Sequence, residues 1–169
     1  MVISKLRTKE LRRTYGFEEV AIVPGDVTTN PDLCETDLTI GPFVFSIPVL
    51  ASAMDAVVNP AFAGMMSNFG GLAVLNLEGL QTRYDNPESV INEIVSSPKE
   101  TVTDTFQRLY SKPITDELVG KRIAEIKSTG AVCAVSVTPQ AAKQLAQSAV
   151  EAGADIVVVQ STVTTARHI

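Results

Sequence analysis

The chain has 169 residues, of which 45% are hydrophobic and 20% charged, and its formal net charge at pH 7 is −5. This composition is typical of a globular, core-forming protein and excludes the disordered and fibrous classes. The negative charge argues against sequence-independent binding of nucleic acid, and no apolar run approaches the roughly 20 residues of a membrane-spanning helix.

Short apolar runs alternate with helical patterns from residue 47 onward. The run 47–52 predicts a first buried strand. Asn59-Pro60 then predicts the start of a helix, which Gly70-Gly71 ends. A second strand is predicted over 72–75, and Asn86-Pro87 repeats the signal for the start of a helix.

The second part of the chain continues this alternation. Two more helices are predicted over 101–110 and 116–128, and a third buried strand follows over 131–137. Thr138-Pro139 predicts the start of the next helix, whose apolar residues recur at i, i+3, i+4, i+7 and i+8. A fourth strand is predicted over 155–160.

Continuously apolar strands that alternate with amphipathic helices predict an α/β fold, a parallel sheet covered by helices. Two architectures remain, a doubly wound open sheet and a (β/α)8 TIM barrel, which needs about 250 residues. This chain supplies about four βα units. Its last residues stand where a fourth crossover helix should begin. We therefore expect an N-terminal arm and pre-barrel segment over 1–46, and the amino-terminal half of a barrel over 47–169, with sequential strands and helices outside.

Small and polar residues follow all four predicted strands. In parallel α/β folds ligands bind beyond the carboxyl ends of the strands. The convergence of four such ends therefore predicts a binding site. The residues concerned are Ser52-Ala53-Met54-Asp55, Asn76-Leu77-Glu78-Gly79, Ser136-Val137-Thr138 and Gln160-Ser161-Thr162.

Structural roles remain open for the same residues. Asp55 could cap the turn into the first helix, and Thr138 could cap the helix after the third strand. Met54 could pack in the core, and Asn76 could bond backbone groups of its own turn. Ser52 needs a hydrogen-bond partner of some kind, since its hydroxyl ends an apolar strand.

The sequence contains few candidates for a catalytic residue. The single histidine, His168, is next to the last residue, which leaves no Ser-His-Asp triad or histidine-rich metal site. Cys133 lies in an apolar strand, where an inert buried thiol is expected, and Cys34 lies in an acidic loop. Two cysteines are typical of a reducing cytoplasm, and no metal site is predicted. Neither a GxGxxG nor a P-loop motif is present.

Five segments of the chain together carry a family resemblance. They are 17–25 (FEEVAIVPG), 47–55 (IPVLASAMD), 70–72 (GGL), 76–84 (NLEGLQTRY) and 134–139 (AVSVTP). In combination they resemble the IMP dehydrogenase/GMP reductase family. The last two are most similar to the bacterial IMP dehydrogenase-related branch, which lacks the regulatory cystathionine-β-synthase pair. The resemblance covers essentially the whole chain.

The resemblance implies a (β/α)8 barrel in a cytoplasmic homo-oligomer, a tetramer or larger. The implied reaction oxidises the purine nucleoside monophosphate IMP to XMP with NAD and water. By the same resemblance, Ser52 and Met54 contact the bound nucleotide, and Gln160, Ser161 and Thr162 contact NAD. Gln160 stands where the dehydrogenases usually have an Asp that binds the NAD ribose, and an amide accepts hydroxyl groups less strongly than a carboxylate does.

The resemblance also implies what this chain lacks. The family's catalytic cysteine loop, glycine-rich phosphate-binding turns and flap belong to the second half of the barrel, and none is encoded before Ile169. We therefore expect no catalytic residue in these 169 residues and no turnover by them alone. The alternatives are a GMP reductase-like enzyme, a non-catalytic half-barrel interaction module, and an unrelated doubly wound domain, which strand order distinguishes.

Overall fold

The structure is a computed structural model and describes residues 13–160. The described residues divide into two units, 13–35 and 36–160. The first unit contains two short 3-10 turns, Phe17–Glu19 and Pro31–Leu33. The second unit contains every helix and strand of the described residues. The expected division at residue 46 into an arm and a barrel segment stays a prediction.

The second unit alternates strands and helices in the predicted order, after a hairpin that the sequence did not predict. The strands are β1 Leu38–Ile40, β2 Phe43–Phe45, β3 Leu50–Ala51, β4 Leu72–Asn76, β5 Ala134–Val137 and β6 Ile156–Val159. The helices are α1 Pro60–Asn68, α2 Pro87–Ser96, α3 Val102–Tyr110, α4 Asp116–Ser128 and α5 Ala142–Glu151. Among the residues described, no helix has the length and apolar character needed to cross a membrane.

Strands β3 to β6 form one parallel sheet in the order β3-β4-β5-β6. The register places Asn76 of β4 beside Ser136 of β5, and Ser136 beside Val158 of β6. This confirms an α/β fold with a parallel sheet in sequential order. A doubly wound sheet reverses its strand order at a switch point, so the alternative of a small doubly wound domain is wrong.

Side-chain caps begin α1, α2 and α4 where the sequence predicted these helices, at Asn59, Asn86 and Thr115. The Asn59 side chain accepts a hydrogen bond from the Phe62 N–H at 2.8 Å, and a proline follows each of Asn59 and Asn86. Helix α5 begins at Ala142, four residues later than Thr138. The chain first makes a turn there, closed by a 2.9 Å bond from the Ala142 N–H to the Thr138 carbonyl. The prediction that Thr138 is the N-cap is therefore wrong.

The first predicted strand is shorter and less buried than expected. Residues 47–52 were predicted as a buried strand, but only Leu50–Ala51 is a strand, and Leu50 is 47% exposed. Within the described sheet β3 is an edge strand that pairs only with β4. Pro48 also has no N–H to donate to a ladder. An apolar run at an edge therefore gives a shorter strand than the same run in the sheet centre.

The two faces of the sheet pack against different partners. The face covered by helices is called the outer face. On it, Leu75 and Val135 pack with Ile123 of α4 in one buried cluster. On the inner face Leu72, Val74 and Ala134 pack with Phe45 of the β1–β2 hairpin. Leu72 and Ala134 are the first residues of their strands, so the hairpin covers the inner face near the amino ends. The carboxyl ends of the strands lie beyond this apolar cluster.

Candidate functional site

A cavity of about 190 Å³ lies beside the carboxyl ends of β3, β5 and β6. Three of its lining residues carry uncharged hydrogen-bonding side chains, Ser52, Ser136 and Gln160. None of the lining residues is charged. The remaining residues of the lining are the apolar Leu50, Ala51, Ala53, Val74 and Val158. The arrangement is typical of a pocket for an uncharged ligand group, with apolar walls and a few polar contacts.

Ser52 and Gln160 are brought to this cavity by the ends of their strands. Ser52 directly follows β3 and is exposed. The Gln160 N–H donates to the Val137 carbonyl at 2.8 Å, which holds Gln160 beside the end of β5. The structure thus brings together two residues that the sequence assigned to different ligands. The other two candidates for NAD binding, Ser161 and Thr162, lie outside the described residues.

Met54 lies in a different depression from Ser52. It lines an apolar groove of about 280 Å³, and it is 53% exposed. Packing of Met54 in the core, the alternative that the sequence left open, is therefore wrong. Its neighbours in the groove are Asp55, Ala56, Leu80, Ile91, Ile94, Val95, Phe106 and Tyr110.

Asp55 fixes the turn that carries Met54. One carboxylate oxygen, Oδ2, accepts hydrogen bonds from the Leu80 N–H at 3.0 Å and from the Tyr110 hydroxyl at 2.5 Å. Burial, together with this bond to a carboxylate, raises the pKa of Tyr110 above its usual range, so the hydroxyl stays protonated. The expectation that Asp55 caps the turn into α1 is wrong, because Asn59 is the N-cap. Asp55 instead joins three segments distant in sequence.

Glu78 joins the loops that follow β4 and β5. Its carboxylate accepts hydrogen bonds from the Thr138 N–H at 2.5 Å and from the Thr138 hydroxyl at 3.0 Å. The Asn76 side chain in turn accepts from the Glu78 N–H at 3.0 Å, which is the structural role considered for Asn76. Glu78 is therefore engaged in holding two loops together.

The loop after β4 is also held from the helix side by Arg122 of α4. Arg122 is 5% exposed. Its guanidinium donates to the carbonyls of Gln81 at 2.9 Å, Tyr84 at 3.0 Å and Asp85 at 2.7 Å. It also pairs with the Glu125 carboxylate at 2.8 Å. The sequence analysis missed this residue, although its place on the apolar side of α4 was a signal that it is buried.

Cys133 is not an activated nucleophile. Its thiol is fully buried in the outer, helix-facing cluster and does not line the cavity. Burial raises the pKa of Cys133 to about 11, and the nearby Asp155 carboxylate raises it further than Lys127 lowers it. The prediction of a buried thiol is therefore confirmed, and its lack of reactivity stays a prediction. Cys34 is exposed and belongs to the other unit, and His168 lies outside the described residues.

The chain was compared with known proteins by sequence. A family model described as IMP dehydrogenase / GMP reductase domain matches residues 14–169. A protein of Mycolicibacterium smegmatis named as an uncharacterized oxidoreductase is 37% identical over 163 residues, which cover 94% of this chain and 44% of that protein. An inosine-5'-monophosphate dehydrogenase of Korarchaeum cryptofilum is 30% identical over 132 residues, which cover 72% of this chain and 28% of that enzyme.

A comparison of structures leads to the same group of proteins. An IMP dehydrogenase/GMP reductase-like protein from Corynebacterium glutamicum superposes with a TM-score of 0.85 and 31% sequence identity. The match covers 99% of this chain and 46% of that protein. The chain thus spans less than half the length of the proteins that it matches.

Proposed function

This chain belongs to the IMP dehydrogenase / GMP reductase family, and from that premise we propose that it forms half of a (β/α)8 barrel in an NAD-dependent oxidoreductase that converts IMP to XMP. The observation that carries the proposal is the set of sequential parallel strands, with the carboxyl ends of β3, β5 and β6 beside one cavity. Barrel enzymes bind their substrates at this end of the strands. The relatives named as inosine-5'-monophosphate dehydrogenases favour IMP over GMP.

Within this enzyme, the residues of this half of the barrel bind and orient the nucleotides and take no part in the chemical step. Ser52 contacts the bound nucleotide through its hydroxyl, and Met54 contacts it from the neighbouring apolar groove. Asp55 is a positioning residue, because its bonds to Leu80 and Tyr110 fix the turn that carries Met54. The nucleophilic cysteine of the family reaction comes from the rest of the barrel, since Cys133 faces the helices with a raised pKa.

The residues near β6 fit part of an NAD molecule. The Gln160 amide and the Ser136 hydroxyl line the same cavity, and both can donate and accept hydrogen bonds. They suit the uncharged carboxamide and ribose hydroxyl groups of NAD. No basic side chain lines the cavity, so the phosphates of both nucleotides are held elsewhere. When bound, NAD supplies the acceptor for the hydride that leaves the substrate.

The expected setting of this enzyme is a cytoplasmic homo-oligomer, a tetramer or larger. Two features support an assembled state. Strands β3 and β6 are edges of the described sheet, and Leu50 and Val158 on these strands are exposed. Unpaired strand edges and exposed apolar faces favour association. The same features suit pairing with the remainder of a barrel.

Turnover of the full-length protein tests the proposed function. With IMP and NAD we expect NADH to form, measured by its absorbance. Ser52→Ala should raise KM for IMP about 3–10-fold, because a lost hydrogen bond costs about 0.5–1.5 kcal/mol. Ser96→Ala is the matched control, since the exposed Ser96 hydroxyl bonds only the Asn92 carbonyl of α2. Oxidation of NADPH with GMP instead, or no turnover with either pair, would contradict the proposal.

A further inference from the structure

The hydroxyl of Ser136 is a buried polar group without a protein partner among the described residues. Ser136 is 1% exposed and lies in the central strand β5. Its Oγ atom has no hydrogen bond. Buried hydroxyl groups in native proteins are nearly always bonded, because an unmade bond costs the full desolvation of the group. An exception therefore calls for a physical reason.

The neighbouring strands do not supply the missing partner. Asn76 of β4 stands beside Ser136, but its side-chain oxygen already accepts the Glu78 N–H at 3.0 Å. Val158 of β6 stands on the other side and has no polar side-chain atom. Ser136 lines the cavity at the carboxyl ends of the strands. The cavity is consequently the side from which a ligand could approach this buried hydroxyl.

The size and chemistry of the cavity restrict what can enter it. Its volume is about 190 Å³, and a dry protein cavity of about 150 Å³ holds a benzene molecule. The walls combine apolar side chains with the uncharged polar groups of Ser52, Ser136 and Gln160. A phosphate or a carboxylate finds no counter-charge there. A planar ring with an uncharged polar edge matches both the volume and the lining.

We infer that Ser136 is a ligand-binding residue whose hydroxyl bonds the amide or lactam edge of a planar heteroaromatic ring. The inference rests on the proposed function, which offers two rings with this chemistry. One is the purine base of the nucleoside monophosphate, and the other is the nicotinamide of NAD. Both present a carbonyl oxygen that can accept a hydrogen bond from the serine hydroxyl, and Ser52 and Gln160 lie in the same lining.

A binding role and a purely structural role of Ser136 predict opposite effects on stability. If the hydroxyl is unbonded in the free protein, Ser136→Ala removes a desolvated polar group and should not lower Tm. Thr82→Val is the matched control. The Thr82 hydroxyl is also fully buried, but it donates to the Leu77 carbonyl at 2.7 Å. Its removal leaves that carbonyl without its bond, so this variant should melt at a lower temperature.

The experiment titrates the full-length wild type and Ser136→Ala with IMP and with NAD, and measures Tm without ligand. We expect the affinity for one of the two to fall about 3–10-fold, the loss of one hydrogen bond, with Tm at or above that of the wild type. A loss for IMP identifies the purine as the ring, and a loss for NAD identifies the nicotinamide.

Two results would overturn the inference alone. One is a variant that binds both nucleotides as tightly as the wild type. The other is a fall in Tm comparable to that of Thr82→Val, which would reveal a protein partner for the hydroxyl. A wild type that binds neither IMP nor NAD would overturn the proposed function together with this inference, so the two failures are distinguishable.

Discussion

Replacing Arg122 by methionine should lower the free energy of unfolding by about 3–5 kcal/mol, because it leaves three loop carbonyls without a charged donor and each such bond contributes about 1.5–3 kcal/mol. The guanidinium bonds three carbonyls of the loop after β4 and the Glu125 carboxylate. Methionine fills a similar volume but donates no hydrogen bond. Denaturant unfolding of the full-length protein, followed by circular dichroism, measures the loss.

One further variant separates the hydrogen bonds of Arg122 from its charge, and a second provides a surface control. Arg122→Lys keeps the charge but cannot reproduce the planar set of donors, so it should still lose much of the stability. Lys121→Met is the matched control one residue away. Its exposed ammonium pairs with exposed Asp85, and such surface pairs contribute about 0–1 kcal/mol. A loss below about 1 kcal/mol in Arg122→Met would contradict the proposed role of the buried guanidinium.

Replacing Gly79 by alanine should cost about 2–3 kcal/mol of folding stability, typical of overpacking combined with a lost hydrogen bond. A methyl group at this position would overlap the Asp55 carboxylate. Asp55 would have to move away from the Leu80 N–H and the Tyr110 hydroxyl. Because Met54 precedes Asp55 in the same turn, KM for IMP should rise as well. Denaturant unfolding and steady-state kinetics measure the two effects.

A glycine without close neighbours provides the control for Gly79. Nothing lies within 4 Å of a Cβ placed on Gly120, in the interior of α4. Gly120→Ala should therefore raise stability by about 0.5–1 kcal/mol. A double-mutant cycle tests the mechanism, since Gly79→Ala should cost less in an Asp55→Ala background. Strict additivity of the two substitutions would contradict a clash between these residues.

Local signals in the sequence were sufficient to predict the positions of most of the helices and strands. Helix α4 has its predicted bounds, Asp116–Ser128, because Thr115 caps its first turn and Gly130 takes a φ of +80° after its end. The prolines after Asn59 and Asn86 likewise marked the starts of α1 and α2. These signals depend on neighbours within four residues. The order of the parallel strands followed from the alternation of strands and helices.

The contacts that shape the candidate site span much longer distances in sequence. Asp55 bonds groups 25 and 55 residues away, and a pattern of single residues does not specify such partners. The sequence placed Ser136 among the strand ends where a binding site is predicted, but it gave this serine no individual role. Its missing partner became visible only when the register set Asn76 and Val158 beside it. The hairpin at Phe45 was missed because each of its strands has only three residues.

A crystal structure of the full-length protein with IMP and NAD tests most directly whether the carboxyl ends of β3 to β6 form the nucleotide site. We expect a purine or nicotinamide ring in the cavity, with its polar edge within hydrogen-bond distance of Ser52, Ser136 or Gln160. Nucleotides bound only on the helix-covered face, or a cavity filled by other side chains of the protein, would contradict the assignment.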